Sequence, residues 1–132
     1  MVRQLLLAGA LLMLPASLPA QNISHPCVGQ IVTIRVSEIK SSGTMEGFLA
    51  AVAAHNAWYR GKGVMDLIFA TPVIVGDETK QQQSYSTKQF LTFHLYSKPG
   101  DGPRHDDAYD AFVKLYRENS DIKSEYTVCM PK

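Results

Sequence analysis

The sequence lacks charge blocks, has only two cysteines and contains none of the short motifs that mark the common catalytic sites. Its thirteen basic and twelve acidic residues are scattered along the chain. This excludes the basic stripe of a nucleic-acid-binding protein and a polybasic membrane anchor. The G-x-S-x-G, H-E-x-x-H and C-x-x-C patterns and the glycine patterns of phosphate loops are all absent. Any chemistry must therefore come from residues that are dispersed in the sequence.

No apolar run is long enough to span a bilayer, but one short run stands at the N-terminus. Arg3 precedes the apolar residues 5–14, and small residues follow up to Ala20. A basic start, a short apolar core and a small-residue end are typical of a secretory signal peptide. We predict cleavage after Ala20, with residues 21–132 as a single secreted or periplasmic domain free of the membrane. An uncleaved N-terminal anchor is the alternative.

Export would place the two cysteines of the chain in an oxidising compartment. Cys27 and Cys129 nearly bracket the mature domain. In an oxidising compartment such a pair is expected to form a disulfide. The alternative is two free, buried thiols.

Hydrophobic periodicity predicts six elements in the order β-α-β-β-α-β. The strands are expected at 28–39, 64–75, 85–97 and 122–129, and the helices at 45–60 and about 106–119. This order is the ferredoxin-like split βαβ arrangement, an α+β fold with two helices on one face of a four-stranded antiparallel sheet. Strands one and three would be central. Pro72 cannot donate to a strand ladder, so strand two is expected at an edge or with a bulge.

Strict alternation along residues 89–97 predicts two different sheet faces. One face is hydrocarbon, and the other carries hydroxyl, imidazole and guanidinium groups. We expect the helices to cover the apolar face, formed by Val32, Ile34, Val36, Leu91, Phe93 and Leu95. The mixed face, with Ile31, Thr33, Arg35, Phe90, Thr92, His94 and Tyr96, is expected to be open and to meet a ligand or a second subunit.

His94 and Arg35 are the candidate catalytic residues on this mixed face. A neutral imidazole can act as a general base or ligate a haem iron, and a guanidinium can hold a carboxylate or phosphate. The structural alternatives are a half-buried histidine and an ion pair, either across a dimer or with Glu125. Candidate ligand-binding residues are Thr33, Thr92, Tyr96, His55, Trp58 and Tyr59. Core packing is the alternative for the aromatic ones.

No metal site is predicted. The string His105-Asp106-Asp107 is interpreted as a helix cap, since adjacent residues rarely face one point.

Element order and face pattern over most of residues 28–130 resemble the dimeric α/β-barrel superfamily. It includes antibiotic-biosynthesis-type monooxygenases, stress-responsive barrel proteins and EthD-like proteins. The segment 55–63, HNAWYRGKG, is similar to the end of the first helix in some of these families. The resemblance implies a homodimer with a small organic ligand or haem in the cavity between sheet and helices, and it leaves the cofactor open. Two hypotheses follow: a small-molecule-binding, monooxygenase-like or isomerase-like homodimer, or a non-catalytic stress or interaction protein whose open face is only a dimer interface.

Overall fold

The computed structural model describes residues 26–77, 79, 82–98, 100 and 102–131. The proposed signal peptide therefore lies outside the described residues. Six elements follow one another: β1 (Gly29–Ile39), α1 (Met45–Gly61), β2 (Leu67–Asp77), β3 (Gln82–Leu95), α2 (Asp107–Asn119) and β4 (Ser120–Pro131). The predicted β-α-β-β-α-β order is confirmed, and the two strands of the β2–β3 hairpin extend further into the connecting segment than predicted.

Both helices begin at capping residues that the sequence indicates. Thr44 accepts a hydrogen bond from the backbone N–H of Gly47 at the start of α1. Asp106 accepts one from the backbone N–H of Tyr109 at the start of α2. Each side chain satisfies a donor that the first helical turn leaves without a partner. After α1, Gly63 takes a positive φ of 67°, which turns the chain towards β2.

The four strands form one antiparallel sheet in the order β2-β3-β1-β4, so β1 and β3 are central as predicted. Pro72 lies on the edge strand β2, and the pairing register of β2 with β3 shifts directly after it. A second shift occurs on the other edge, where Val36 pairs with Ser124 but Ser37 pairs with Ile122. Lys123 is therefore an extra residue that forms a β-bulge in β4. The bulge lets both Ile122 and Glu125 point to the helix side.

The prediction of which sheet face the helices cover is wrong. The buried core consists of helix side chains packed on the mixed face: Phe48, Val52, Trp58, Tyr59 and Phe112 against Ile68 and Phe90. Thr33, Ser37, Thr92 and His94 are also buried on this side, and Arg35 lies on it too. The other face carries Ile34, Val36, Leu91, Phe93 and Leu95, all half-buried, with Val32 fully enclosed.

The physical reason for this error lies in what alternation reports. It shows which residues share a face, but the face with more hydrocarbon goes under the helices only if nothing else covers the sheet. Here the helix stripes are aromatic, and their rings pack on Phe90 and Ile68 while leaving space beside the polar groups. The mixed face is therefore an internal surface.

A disulfide joins Cys27, just before β1, to Cys129 on β4. The bond ties the two strand ends that lie side by side, since Ile31 pairs with Cys129. The two cysteines are 102 residues apart in the sequence, and the bond closes the loop between them. In the chain-entropy account, such a closure stabilises the fold by about 4–5 kcal/mol. Within the described residues, no helix has the length and apolarity needed to cross a membrane.

Candidate functional site

A cavity of about 590 Å³ lies between the helix-facing side of the sheet and the two helices. Its floor is formed by side chains of β1, β3 and β4, and its roof by side chains of α1 and α2. The segment before α2, with Pro103 and His105, forms part of the rim. This volume falls in the range of sites that bind small organic molecules.

The cavity brings together most of the residues that the sequence singles out. Its wall includes both candidate catalytic residues and five of the six candidate ligand-binding residues: His94, Arg35, Thr92, Tyr96, His55, Trp58 and Tyr59. Thr33 is not part of the wall. Its hydroxyl is hydrogen-bonded to those of Tyr96 and Thr127, at 3.2 Å and 3.0 Å.

His94 sits in the most constrained part of the site. Its Nε2 lies 3.1 Å from the hydroxyl of Tyr59 and 3.3 Å from Oδ2 of Asp66. The ring of Tyr96 stacks on the imidazole with a centroid distance of 3.9 Å. Asp66 comes just before β2, and its Oδ1 accepts hydrogen bonds from the backbone N–H and the hydroxyl of Ser97. Ser97 thus fixes the carboxylate, and the carboxylate faces the imidazole.

The environment sets the charge of each member of this cluster. Burial lowers the pKa of His94, and the opposing effect of Asp66 only partly offsets it, so the imidazole is neutral at pH 7. Burial alone would raise the pKa of Asp66, but the hydrogen bonds from Ser97 and His94 outweigh it and the pKa is lowered. Burial, with the nearby Asp66 charge, raises the pKa of Tyr59, so its phenol stays protonated.

These charge states determine where the protons are. The ionised carboxylate of Asp66 can only accept, so the neutral imidazole of His94 carries its proton on Nε2. The Tyr59 oxygen then accepts from Nε2–H, and its own proton can be donated elsewhere. Nδ1 of His94 keeps a free lone pair. The cluster therefore has one hydrogen-bond donor, the Tyr59 hydroxyl, and one basic nitrogen to offer a ligand.

Arg35 lies on the cavity floor and is paired with Glu125 of β4. The two residues are register partners on adjacent strands, and the bulge in β4 keeps Glu125 on the helix side. The guanidinium Nε donates to Oε2 of Glu125. The terminal nitrogens of Arg35 have no hydrogen-bond partner among the described residues. The pairing with Glu125 is the one anticipated from the sequence as an alternative to a functional role.

The roof is a stack of aromatic rings centred on His55. Its imidazole is parallel to the ring of Phe112 at 4.1 Å and to that of Tyr59 at 4.9 Å, and it meets His94 edge-on at 5.8 Å. Burial lowers the pKa of His55 to about 3, and the positive charges of His94 when protonated and of Arg35 act in the same direction. The ring is therefore neutral at pH 7 and acts as a flat wall of the cavity.

Trp58 connects the roof to the rim. Its indole Nε1–H donates to Oδ1 of Asp106 at 2.8 Å, and its ring packs on Tyr109 and Phe112. Asp106 is also paired with Lys62 and caps α2, as the sequence predicts for this string. Trp58 is the only tryptophan of the chain, so its fluorescence reports on the cavity.

Several residues of the site were not found from the sequence. Asp66 and Ser97 reach His94 only through the pairing of β2 with β3, which sets Ile68 opposite His94. Ser37 shares its face with Arg35, so the alternation of β1 could have identified Ser37 as a neighbour of Arg35. Phe112 and Tyr116 fall at helical spacing on α2, but such spacing does not distinguish core from cavity wall.

No group of three or more metal-ligating side chains occurs in the part of the chain that the structure describes. Haem, which the resemblance implied as one option, does not fit His94 as an axial ligand. The Nε2 of His94 is already engaged by Tyr59 and Asp66, and the ring is covered by Tyr96. We therefore derive no step through haem.

The fold and the site define an α+β protein with a four-stranded antiparallel sheet, two helices and a polar-floored cavity between them. No family model matches the chain, and neither a curated protein nor a solved structure does.

Proposed function

We propose that this chain is an exported, small-molecule-binding homodimer of the dimeric α/β-barrel type, whose ligand occupies the cavity between sheet and helices. The observation that carries the proposal is the cavity itself. It contains a neutral histidine oriented by a carboxylate and walled by aromatic rings, an arrangement suited to orienting a small organic molecule.

The reaction class that fits the cluster best is proton transfer, as in an isomerase-like or monooxygenase-like step. Nδ1 of His94 would take a proton from the bound molecule, and the Tyr59 hydroxyl would donate a hydrogen bond to an oxygen on it. Both groups are neutral at pH 7 and lie side by side in a mostly apolar cavity, where such interactions are strong.

The uncovered face of the sheet supports the dimer. The outward side chains of residues 30–36, 124–130, 67–71 and 91–95 are uncharged. Phe69, Tyr126, Val128 and Met130 are exposed there. The ion pair of Glu38 with Lys123 lies beyond this uncharged region. A second copy offers a matching apolar face, which is the isologous contact of a two-fold dimer.

A non-catalytic interaction protein is the second candidate, because the same apolar face alone would explain a dimer. The two candidates differ in the cavity. For the second candidate, the cavity binds nothing, and the contact between His94 and Asp66 serves only to satisfy the hydrogen-bonding groups of these two side chains.

The proposal is tested by native mass spectrometry of the exported protein, followed by Trp58 fluorescence titration with naphthamide, a neutral aromatic probe. We expect a dimer that retains a small molecule or, once stripped, binds the probe. Val113→Phe, which fills the cavity, should abolish binding, whereas Ala111→Phe, on the same helix but outside the cavity, should not. His94→Ala should lose the retained molecule and keep the dimer. A dimer that carries no molecule and never binds the probe would favour the second candidate.

A further inference from the structure

The floor of the cavity carries two buried hydroxyl groups without partners. Ser37 is 3% exposed and Thr92 is 5% exposed, and both line the cavity. Neither hydroxyl has a hydrogen-bond partner among the described residues. In that part of the chain, every side-chain oxygen or nitrogen that is fully enclosed has a hydrogen-bond partner. A hydroxyl oxygen without a partner is therefore not fully enclosed. The two hydroxyl groups therefore open into the cavity, where only a ligand or water can satisfy them.

Ser37 and Thr92 neighbour Arg35 on the floor of the cavity. Arg35 and Thr92 are register partners on β1 and β3, so their side chains stand next to each other on one face. Ser37 is two residues further along β1 on the same face, about 7 Å away. Among the described residues, only Glu125 bonds the guanidinium of Arg35, and it does so through Nε. A cation and two hydroxyl groups thus line neighbouring positions of the floor.

The charge of the cavity wall indicates which anion this spot suits. Three cationic side chains line the cavity, Arg35, Lys40 and Arg117, against two carboxylates, Asp121 and Glu125. His55 and His94 on the wall are neutral at pH 7. One negative charge balances the wall, whereas a doubly charged phosphate would exceed it by one charge. A guanidinium edge also matches the two oxygens of a carboxylate.

We propose that Arg35, Ser37 and Thr92 form a carboxylate subsite, and that the ligand of the cavity is a planar aromatic monocarboxylate. This inference rests on the proposed small-molecule function and specifies its ligand class. The carboxylate lies on the floor against Arg35 and the two hydroxyl groups. The aromatic body extends beneath Phe112 and Tyr116, within reach of the His94–Tyr59 pair.

The test compares naphthoate with naphthamide by isothermal titration calorimetry on the mature, disulfide-intact protein. The two probes have the same ring and nearly the same shape, and only the acid carries a charge. We expect naphthoate to bind at least about tenfold more tightly than naphthamide, as a charge-assisted bidentate contact predicts.

Three variants assign the preference to the subsite. Arg35→Gln should make the two affinities equal by weakening naphthoate alone. Thr92→Val and Ser37→Ala should each weaken naphthoate about threefold to tenfold and change naphthamide less than twofold. The two hydroxyl variants keep the inference falsifiable if Arg35→Gln does not fold.

Thr33→Val is the matched control for Thr92→Val. Thr33 is equally buried on the same face, but its hydroxyl is bonded to Tyr96 and Thr127 and does not reach the cavity. It should lower the melting temperature and leave the ratio of the two affinities unchanged. A structural role for Thr92 would instead lower stability without changing that ratio.

The outcomes separate this inference from the function on which it rests. If naphthamide binds as tightly as naphthoate, the carboxylate subsite is wrong and the small-molecule site stands. The subsite is also wrong if Arg35→Gln weakens both probes equally. If neither probe binds wild-type protein, the inference fails, and the proposed function fails with it when the exported protein also retains no molecule. Inorganic phosphate that displaces naphthoate and binds more tightly than naphthoate would overturn the choice of anion.

Discussion

At the scale of single residues, the cavity is organised by a carboxylate that does not touch it. Asp66 is held by Ser97 and lies against Nε2 of His94, which determines the tautomer of the imidazole. The tautomer in turn decides that Tyr59 can donate its proton to a ligand and that Nδ1 is basic. Asp66 is therefore a positioning residue, because it acts through His94.

Replacing Asp66 with Asn tests this role. The amide can still accept from Ser97, but its NH₂ group would then face Nε2 of His94 and require a lone pair there. We expect the His94 ring to change from the Nε2–H to the Nδ1–H tautomer, as measured by nitrogen NMR of histidine-labelled protein. Ser97→Ala, which keeps the carboxylate, should leave the tautomer unchanged. An Nδ1–H tautomer in wild-type protein would contradict the assignment.

The buried histidines make the fold sensitive to acid. The pKa of His55 is lowered from 6.5 to about 3, so between these values the unfolded chain binds a proton that the folded one does not. Stability is therefore complete above the unfolded-state pKa and falls as the pH decreases. Each such histidine contributes a slope of about 1.4 kcal/mol per pH unit.

His55→Phe should reduce this slope by about 1.4 kcal/mol per pH unit between about pH 6 and pH 5, above the midpoints at which carboxylates titrate. The phenyl ring keeps the stack on Phe112 and cannot be protonated. Urea unfolding at several pH values measures the slope, with His105→Phe as the control on an exposed histidine of the rim. Equal slopes in wild type and His55→Phe would show that His55 is protonated in the folded state.

At the scale of elements, the start of α1 is fastened to the end of α2 through Asn119. Its Oδ1 accepts from the backbone N–H of Thr44, its amide donates to the carbonyl of Leu115, and its carbonyl accepts from Lys40. Gly47 packs directly on the Asn119 side chain: an added Cβ would lie 2.2 Å from Oδ1. The joint keeps both helices together over the sheet and so maintains the roof of the cavity.

Two glycines of α1 give a matched comparison. Gly47→Ala should destabilise the protein by about 1–3 kcal/mol, because Asn119 is held by its hydrogen bonds and cannot move aside cheaply. Gly61→Ala, near the other end of α1, meets no atom within 4 Å and should be neutral or stabilising by up to about 1 kcal/mol. Denaturant unfolding measures both. An unchanged or increased stability of Gly47→Ala would show that the joint is looser than the contacts indicate.

At the scale of the whole molecule, the helices cover the mixed face of the sheet, although the composition of the two faces favours the apolar one. The mixed face is internal and carries the cavity, while the apolar face is outward. Phe69 and Phe93 stack on each other there at 4.8 Å. A surface of this kind is stabilised by association, which is the basis of the proposed homodimer.

Two substitutions of similarly exposed residues test the dimer. Phe69 on the outward sheet face is 43% exposed, and Leu49 on α1 is 41% exposed. Phe69→Glu places a charge in the proposed interface and should shift the protein from dimer to monomer in sedimentation-velocity experiments. Leu49→Glu adds the same charge elsewhere and should not. A wild-type protein that stays monomeric at high concentration would refute the dimer.

The sequence by itself determined what depends on neighbours along the chain. Alternation and helical spacing give the six elements, and Thr44 and Asp106 mark the helix starts. Pro72 indicates an edge strand, and the positions of Cys27 and Cys129 indicate the disulfide. Alternation also grouped Arg35, Thr92 and His94 on one face, and all three line the cavity.

Only the tertiary structure decided which face is covered and which distant groups meet. Alternation is symmetric with respect to the two faces, so it cannot say whether His94 lies under the helices or outside them. That choice depends on how aromatic rings from α1 and α2 pack on Phe90. Asp66 reaches His94 through the register of β2 with β3, and Ser37 and Thr92 lack partners only because the roof leaves space above them. Packing and register are properties of contacts between elements, and no local pattern encodes them.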